Sequence, residues 1–394
     1  MPWKETCVME ERMRFVLAAK EEGAVMSQVC AAAGISRQTG YVLLRRYESE
    51  GLEGLKDRSR APHEHGRSRE AELVEDVLAL RERYGWGAKK LRHKLGELRP
   101  DIELPAASTI GDWLTKRGLT DKRRRRPKCP AYTQPFAAAT EPNAVWTVDF
   151  KGWFRTTDGS RCDPLTLSDT WSRYLLRCQT VARPDYSHVR PVFEAAFSEF
   201  GLPLSIRSDN GPPFASTAVG GLSALSLWWI KLGIVPERIE PAKPQQNGRH
   251  ERMHRTLGDD TASPPAPTLT EQQARFDIFC QIFNTERPHE ALGFQYPASL
   301  YRPSPRRYPC DLREPAYGED CVTRRVRSNG EIKWQGNLIF ISQVLVGELV
   351  GIERTTSGDW RVRYADIKLG FIDTKQGRLN RWPTPRTVNH VSGP

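Results

Sequence analysis

Apolar residues recur at helical spacing through the first third of the chain and give way to short alternating runs further on. Ser27 is placed to cap a helix ending at Ala33. Gly34 supplies a turn, and Ser36 caps a second helix over residues 37–48. Helix, glycine turn, helix is the spacing of a helix-turn-helix. Leu73, Val77, Leu80 and Tyr84 form the stripe of a further helix, which Gly85-Trp86-Gly87 breaks; a basic helix over 88–97 follows. Ser108 then caps 109–117, with Trp113 and Leu114 inward and Gly118 as the stop, completing a second three-helix unit that reads as another helix-turn-helix. From Glu141 the pattern predicts strands over 145–154, 164–167 and 174–181, with Asp158-Gly159 as a turn. A helix over 186–200, a strand over 204–207, a helix over 222–232, a strand over 234–239 and a helix bearing Glu251 come next. Residues 259–270 read as a connector and 271–284 as a helix with Phe276, Phe279, Cys280 and Phe283 inward. Short β-rich runs between 322 and 373, separated by turns such as Ser328-Asn329-Gly330, predict a small β-barrel.

These elements divide the chain into a helix-turn-helix domain (1–60), a second helical DNA-binding domain (66–120), a basic linker (121–140) and an α/β core (141–302). A linker (303–320), the β-barrel (321–375) and a flexible tail (376–394) complete it. The predicted fold class is multidomain: all-α modules, a central α/β core and a small terminal barrel.

Composition narrows the function. With 27% charged residues, a mean hydropathy of −0.58 and no apolar run of membrane-spanning length, the chain reads as soluble, without a signal peptide. A net charge of +11 favours a polyanionic partner. The cysteines scatter with no C-x-x-C pair, which argues against a disulfide framework or zinc finger and for a reducing cytoplasm.

The candidate chemistry lies in three acidic blocks. Asp149 sits inside Val145-Trp146-Thr147-Val148-Asp149-Phe150, where burying an acid without a cation would be costly. Asp209 ends an apolar run and begins Asp209-Asn210-Gly211-Pro212-Pro213-Phe214. Glu251 follows Pro244-Gln245-Gln246-Asn247-Gly248-Arg249-His250 in the first turn of a helix. Three carboxylates from two strand ends and a helix start suit hard divalent cations bound through oxygen. Asp169, before Trp171-Ser172-Arg173, reads instead as a structural turn residue.

These blocks resemble those of integrases and DDE transposases, especially bacterial insertion-sequence transposases. The resemblance covers most of the chain, and its second and third blocks are the specific ones. It implies a ribonuclease-H-like core in which Asp149, Asp209 and Glu251 are catalytic and hold two Mg²⁺ ions, with Mn²⁺ as a substitute. Asn210 and Asn247 would shape the loops. The implied activity frees a 3′-hydroxyl at an element end and joins it to target DNA. The partner is double-stranded DNA, with a homo-oligomer assembled on it and no membrane, in a bacterial cytoplasm near the nucleoid. The Asn284-Thr285-Glu286-Arg287-Pro288-His289-Glu290-Ala291-Leu292 stretch resembles the segment that closes the core of such enzymes, which points to packing or capping for His289 and Glu290.

DNA contacts are expected from Arg37, Gln38, Tyr41 and Arg45, which share one face of the second helix, with Val42 and Leu43 available for packing. They are also expected from the cationic run Lys122, Arg123, Arg124, Arg125, Arg126 and Lys128, and from Arg255. Two departures from the family pattern stand out. The interval from Asp209 to Glu251 is longer than usual, with the excess in the Gly/Ser/Ala-rich 216–226 region. Where many relatives carry Lys or Arg two turns after the catalytic Glu, this chain has Gly258; either the helix ends there and Arg255 takes over, or the copy is weakened. Two rival readings are a catalytically silent DNA-binding protein and, through His250-Glu251-Arg252-Met253-His254, a zinc hydrolase of the H-E-x-x-H kind. The polar flanks of that motif and the absence of a clear third ligand count against zinc.

Overall fold

The structure, a computed structural model, describes residues 7–58, 67–120, 139–239 and 248–381. The chain forms two compact units, one up to Leu73 and one from Val74 onward.

The first unit holds α1 (Val8–Lys20), α2 (Met26–Ala32) and α3 (Arg37–Glu50). Phe15, Val16, Cys30, Leu43 and Leu55 form its core. Ser36 caps α3 by accepting from Thr39 N at 3.1 Å. Ser27 caps nothing: α2 begins at Met26 behind Val25, so the serine lies inside the first turn. Val42 is exposed, because Gly40 and Leu43 supply the buried face.

The second helical unit comprises α4 (Arg67–Tyr84), α5 (Ala88–Leu98) and α6 (Ala107–Lys116), with Leu91, Leu95, Ile110, Trp113 and Leu114 buried. Here too the helix starts early: α6 is preceded by Ala106, and Ser108 is not its cap.

A mixed sheet follows, built from β1 (Val145–Phe150), β2 (Phe154–Arg155), β3 (Arg161–Asp169), β4 (Leu175–Val181), β5 (Ser205–Ser208) and β6 (Val235–Arg238). Antiparallel β4, β3 and β1 continue into parallel β5 and β6, the order of a ribonuclease-H-like core. The helices are α7 (Tyr186–Phe200) and α8 (Ala224–Lys231) on one face, and α9 (Gly248–Thr261) and α10 (Leu269–Thr285) on the other. The connector expected over 259–270 is shorter, because α9 continues to Thr261.

The C-terminal region corrects the expected β-barrel. After α11 (Pro297–Leu300), β7 (Val322–Arg325), β10 (Leu349–Arg354), β11 (Trp360–Tyr364), β12 (Ile367–Asp373) and β13 (Arg378–Arg381) form an open antiparallel sheet in the order β13-β12-β11-β10-β7. β8 (Glu331–Trp334) and β9 (Asn337–Phe340) make a separate hairpin. The edge strands β7 and β13 do not pair with each other. Closure is unnecessary because Val219, Leu222 and Leu227 of the core cover the apolar residues of this region, among them Trp334, Val350 and Leu369. Val219, Leu222 and Leu227 thus form the docking surface of the C-terminal region. β13 also replaces the first part of the expected flexible tail.

Candidate active site

Alternation along β1 sends Trp146 and Val148 into the core beneath α7 and leaves Thr147 and Asp149 on the face toward α9. β1 runs parallel to β5 with Val145 opposite Ser205, Trp146 opposite Ile206 and Thr147 opposite Arg207. The ladder ends at Thr147 opposite Arg207; Asp149 and Asp209 each lie two residues beyond it, at the carboxyl ends of neighbouring strands. Asp209 then opens a turn in which Oδ1 accepts from Gly211 N at 3.3 Å. Asn210 Nδ2 donates to Ile239 O at 2.8 Å, tying this turn to the chain after β6.

Helix α9 lies along that face in step with the strands. Four helical residues rise about 6.0 Å and two strand residues about 6.6–6.8 Å, so helical i, i+4 positions keep pace with alternate strand positions. His250 Nε2 lies 3.5 Å from Ser168 Oγ, and His254 Nε2 lies 2.7 Å from Thr166 Oγ1. Thr166 Oγ1 donates to the Asp149 carbonyl at 3.1 Å. Having spent its one proton there, the hydroxyl accepts from His254 Nε2–H. The lone pair of His254 Nδ1 therefore stands toward Asp149 Oδ2, 4.0 Å away. Burial pushes His250 down to about 4; burial, aided by His250 and Lys151, pushes His254 down to about 2, so both rings are neutral. One turn further, Gly258 faces Lys151, whose Nζ stands 5.5 Å from the Phe154 ring.

This arrangement gives the two histidines of the H-E-x-x-H match a different task. They pin α9 to β3 through two hydroxyls, while Met253 and Leu257 pack with Phe276, Phe279 and Phe283 of α10. Glu251, on the same helix, is exposed, as is Arg255. Among the described residues no three His, Cys, Asp or Glu side chains form a ready metal cluster. Asp149 and Asp209 lie at the carboxyl ends of neighbouring strands, and Glu251 lies in the first turn of α9. Asn247 and the cationic run 122–128 lie outside the described residues. Arg37, Gln38, Tyr41 and Arg45 are exposed on α3.

Asp169 is a structural acid: Asn143 N and Ser172 N donate to it at 2.7 and 2.8 Å, and Ser172 Oγ at 2.5 Å. The 284–296 segment ties the second helical unit to the core. Tyr84 donates to Glu286, Lys89 pairs with Glu290 at 3.0 Å, and Tyr296 donates to Glu97. Lys151, two residues after Asp149 and just past the end of β1, is not singled out by the sequence pattern.

Two segments match models described as integrase core domain, residues 139–244 and 232–297. Residues 11–63 match a helix-turn-helix domain and 39–114 a homeodomain-like domain. The chain is 26% identical over 180 residues to an uncharacterised 31.7 kDa protein of insertion element IS407 from Burkholderia multivorans, covering 45% of this chain and 62% of that protein. It is 28% identical over 232 residues to a 39.2 kDa protein of insertion element IS476 from Xanthomonas euvesicatoria, covering 58% and 63%. The chain thus spans less than two thirds of the curated relatives it matches. Among solved structures, the HTLV-2 integrase catalytic core in complex with magnesium aligns with 41% of this chain and 99% of its own, at 15% identity and a TM-score of 0.33.

Proposed function

We propose that this chain, which belongs to the superfamily of insertion-element transposases and retroviral integrases, cuts and joins DNA strands at the ends of a mobile element. The observation that supports the proposal is the parallel β1–β5 pairing, in which Asp149 and Asp209 each follow the last paired residues, Thr147 and Arg207, by two positions. Asp149, Asp209 and Glu251 would hold divalent magnesium, a hard cation that their all-oxygen donor set suits. Held there, the metal would supply Lewis acidity to the phosphodiester chemistry.

The protein's own part is positioning. Thr166 and His254 fix the backbone and surroundings of Asp149. Lys151 presents an ammonium beside the acids, where a phosphodiester would lie, and so supplies the charge that Gly258 lacks. The exposed α3 residues Arg37, Gln38, Tyr41 and Arg45, with Arg255 and the cationic run 122–128, bind DNA in this reading, and Asn210 and Asn247 hold the loops. Residues 66–120 act as a second DNA-binding domain and 141–302 as the catalytic one. Two element ends call for a DNA-assembled oligomer.

The test is Mg²⁺-dependent nicking and strand transfer on duplexes carrying the flanking terminal repeats, wild type beside Asp209→Asn. Products from the wild type alone support the proposal. Binding by both proteins with cutting by neither, under Mg²⁺ or Mn²⁺, would move the reading to a silent DNA-binding protein. Zinc-dependent peptide cleavage lost in His254→Ala would replace both.

A further inference from the structure

Beside the acids lies a cavity of about 270 Å³ that the function above leaves unused. Its floor is Thr147, Ser168 and His250, and four cations from different elements converge on it: Lys90 of α5, Arg173 of the β3–β4 turn, Arg252 of α9 and Arg287 after α10. Carboxylates balance these cations only in part. The Asp169 oxygens are taken by Asn143 and Ser172, and Glu290 is paired with Lys89. Asp260 stands 3.9 Å from Arg287. Lys90 and Arg252 have no ion-pair partner among the described residues. Burial, and then Arg287, pushes the Lys90 ammonium down to about 8, and burial also lowers Arg287. Crowding like charges into a half-dry cavity is unfavourable until an anion enters. His289, behind them, is buried, and its Nε2 has no partner.

We propose that this cavity is a phosphate-binding pocket that takes one backbone phosphate of the DNA strand lying across the carboxylates. The inference rests on the proposed function for its ligand source. Thr147 is two residues before Asp149 on β1, about 6.6–6.8 Å away along the strand. That is close to the separation of neighbouring phosphates on one DNA strand. Because Lys90 belongs to α5, the pocket joins the second helical unit to the catalytic face across a single phosphate.

The test uses the full chain carrying Asp209→Asn, so that binding is read without chemistry. Anisotropy of a labelled terminal-repeat duplex is measured across salt concentrations, and pyrophosphate binding is measured by calorimetry. Lys90→Gln and Arg287→Gln should each weaken duplex binding about tenfold and lower the salt slope by about one. Lys90→Arg should retain both, and thermal melting checks that each variant folds. If the duplex slope is unmoved but pyrophosphate binds and is lost in the variants, the pocket serves a free phosphorylated ligand and the DNA assignment is overturned. If neither changes, there is no phosphate pocket. Failure of the Asp209→Asn chain itself to bind duplex at all would instead sink the proposed function, leaving the pyrophosphate arm to judge the pocket.

Discussion

The Lys151 side chain lies across Gly258, so closely that a Cβ on the glycine would stand 2.9 Å from Lys151 Cε and 3.1 Å from Nζ. A basic residue two turns after Glu251 would have reached toward the acids from the helix. Here Lys151, the residue after β1, lies against the helix at that position, and the glycine leaves room for it. Helix α9 does not end at Gly258; it runs on to Thr261.

This relationship separates stability from activity. Alanine in a helix interior is favoured over glycine by about 1 kcal/mol, so Gly258→Ala should melt at an equal or higher temperature while displacing Lys151. Strand cleavage should fall at least several-fold in Gly258→Ala and about 10- to 100-fold in Lys151→Gln, the range of one charge-assisted contact. Single-turnover nicking beside thermal melting checks this; full activity in Lys151→Gln would show that the ammonium has no part in the reaction.

Thr166 links His254 to the Asp149 carbonyl. Thr166→Val removes the acceptor for His254 Nε2–H and should destabilise the protein by about 1–3 kcal/mol, while Thr166→Ser should recover most of it. Urea unfolding with an unchanged slope would report this, and an unaltered midpoint in the valine variant would refute the linkage.

His289 gives the stability a pH dependence. Burial, with Lys90, Arg287 and Arg173 nearby, lowers it to about 3 in the folded protein from an ordinary 6.5. The unfolded chain therefore binds the extra proton first, so the stability is fully present above pH 6.5 and is lost as the pH falls toward 3. By pH 5 the loss from this ring is about 2 kcal/mol. His250 and His254 act in the same direction, so His289→Phe should reduce the acid sensitivity by about that amount rather than abolish it. Denaturant midpoints at pH 7 and pH 5 measure the difference; equal losses in the two proteins would contradict the neutral, buried ring.

The C-terminal sheet borrows its cover from the core. Leu222→Ala, at a fully buried position in that interface, should cost about 2–5 kcal/mol and expose the 303–320 region to protease. Wild-type stability and an unchanged digestion pattern would mean that the sheet does not depend on the core.

Local chemistry in the sequence determined the helices, the strands and the acidic blocks. The spacing of Val189, Val192, Phe193, Ala196 and Phe197 predicts a helix that the structure places at Tyr186–Phe200, because a 3.6-residue repeat leaves little freedom about which face is buried. Register and partnership were decided only in three dimensions. That Asp149 and Asp209 end neighbouring strands depends on β1 pairing with β5. That His250 and His254 meet Ser168 and Thr166 depends on α9 crossing that face, and no spacing within H-E-x-x-H distinguishes a hydroxyl partner from a metal. Lys151 over Gly258 joins residues from two elements, as do the cations around Lys90. The terminal strands alternate as barrel strands do, but whether a sheet closes depends on where its apolar face finds cover, and Val219, Leu222 and Leu227 supply that cover from a distant part of the chain.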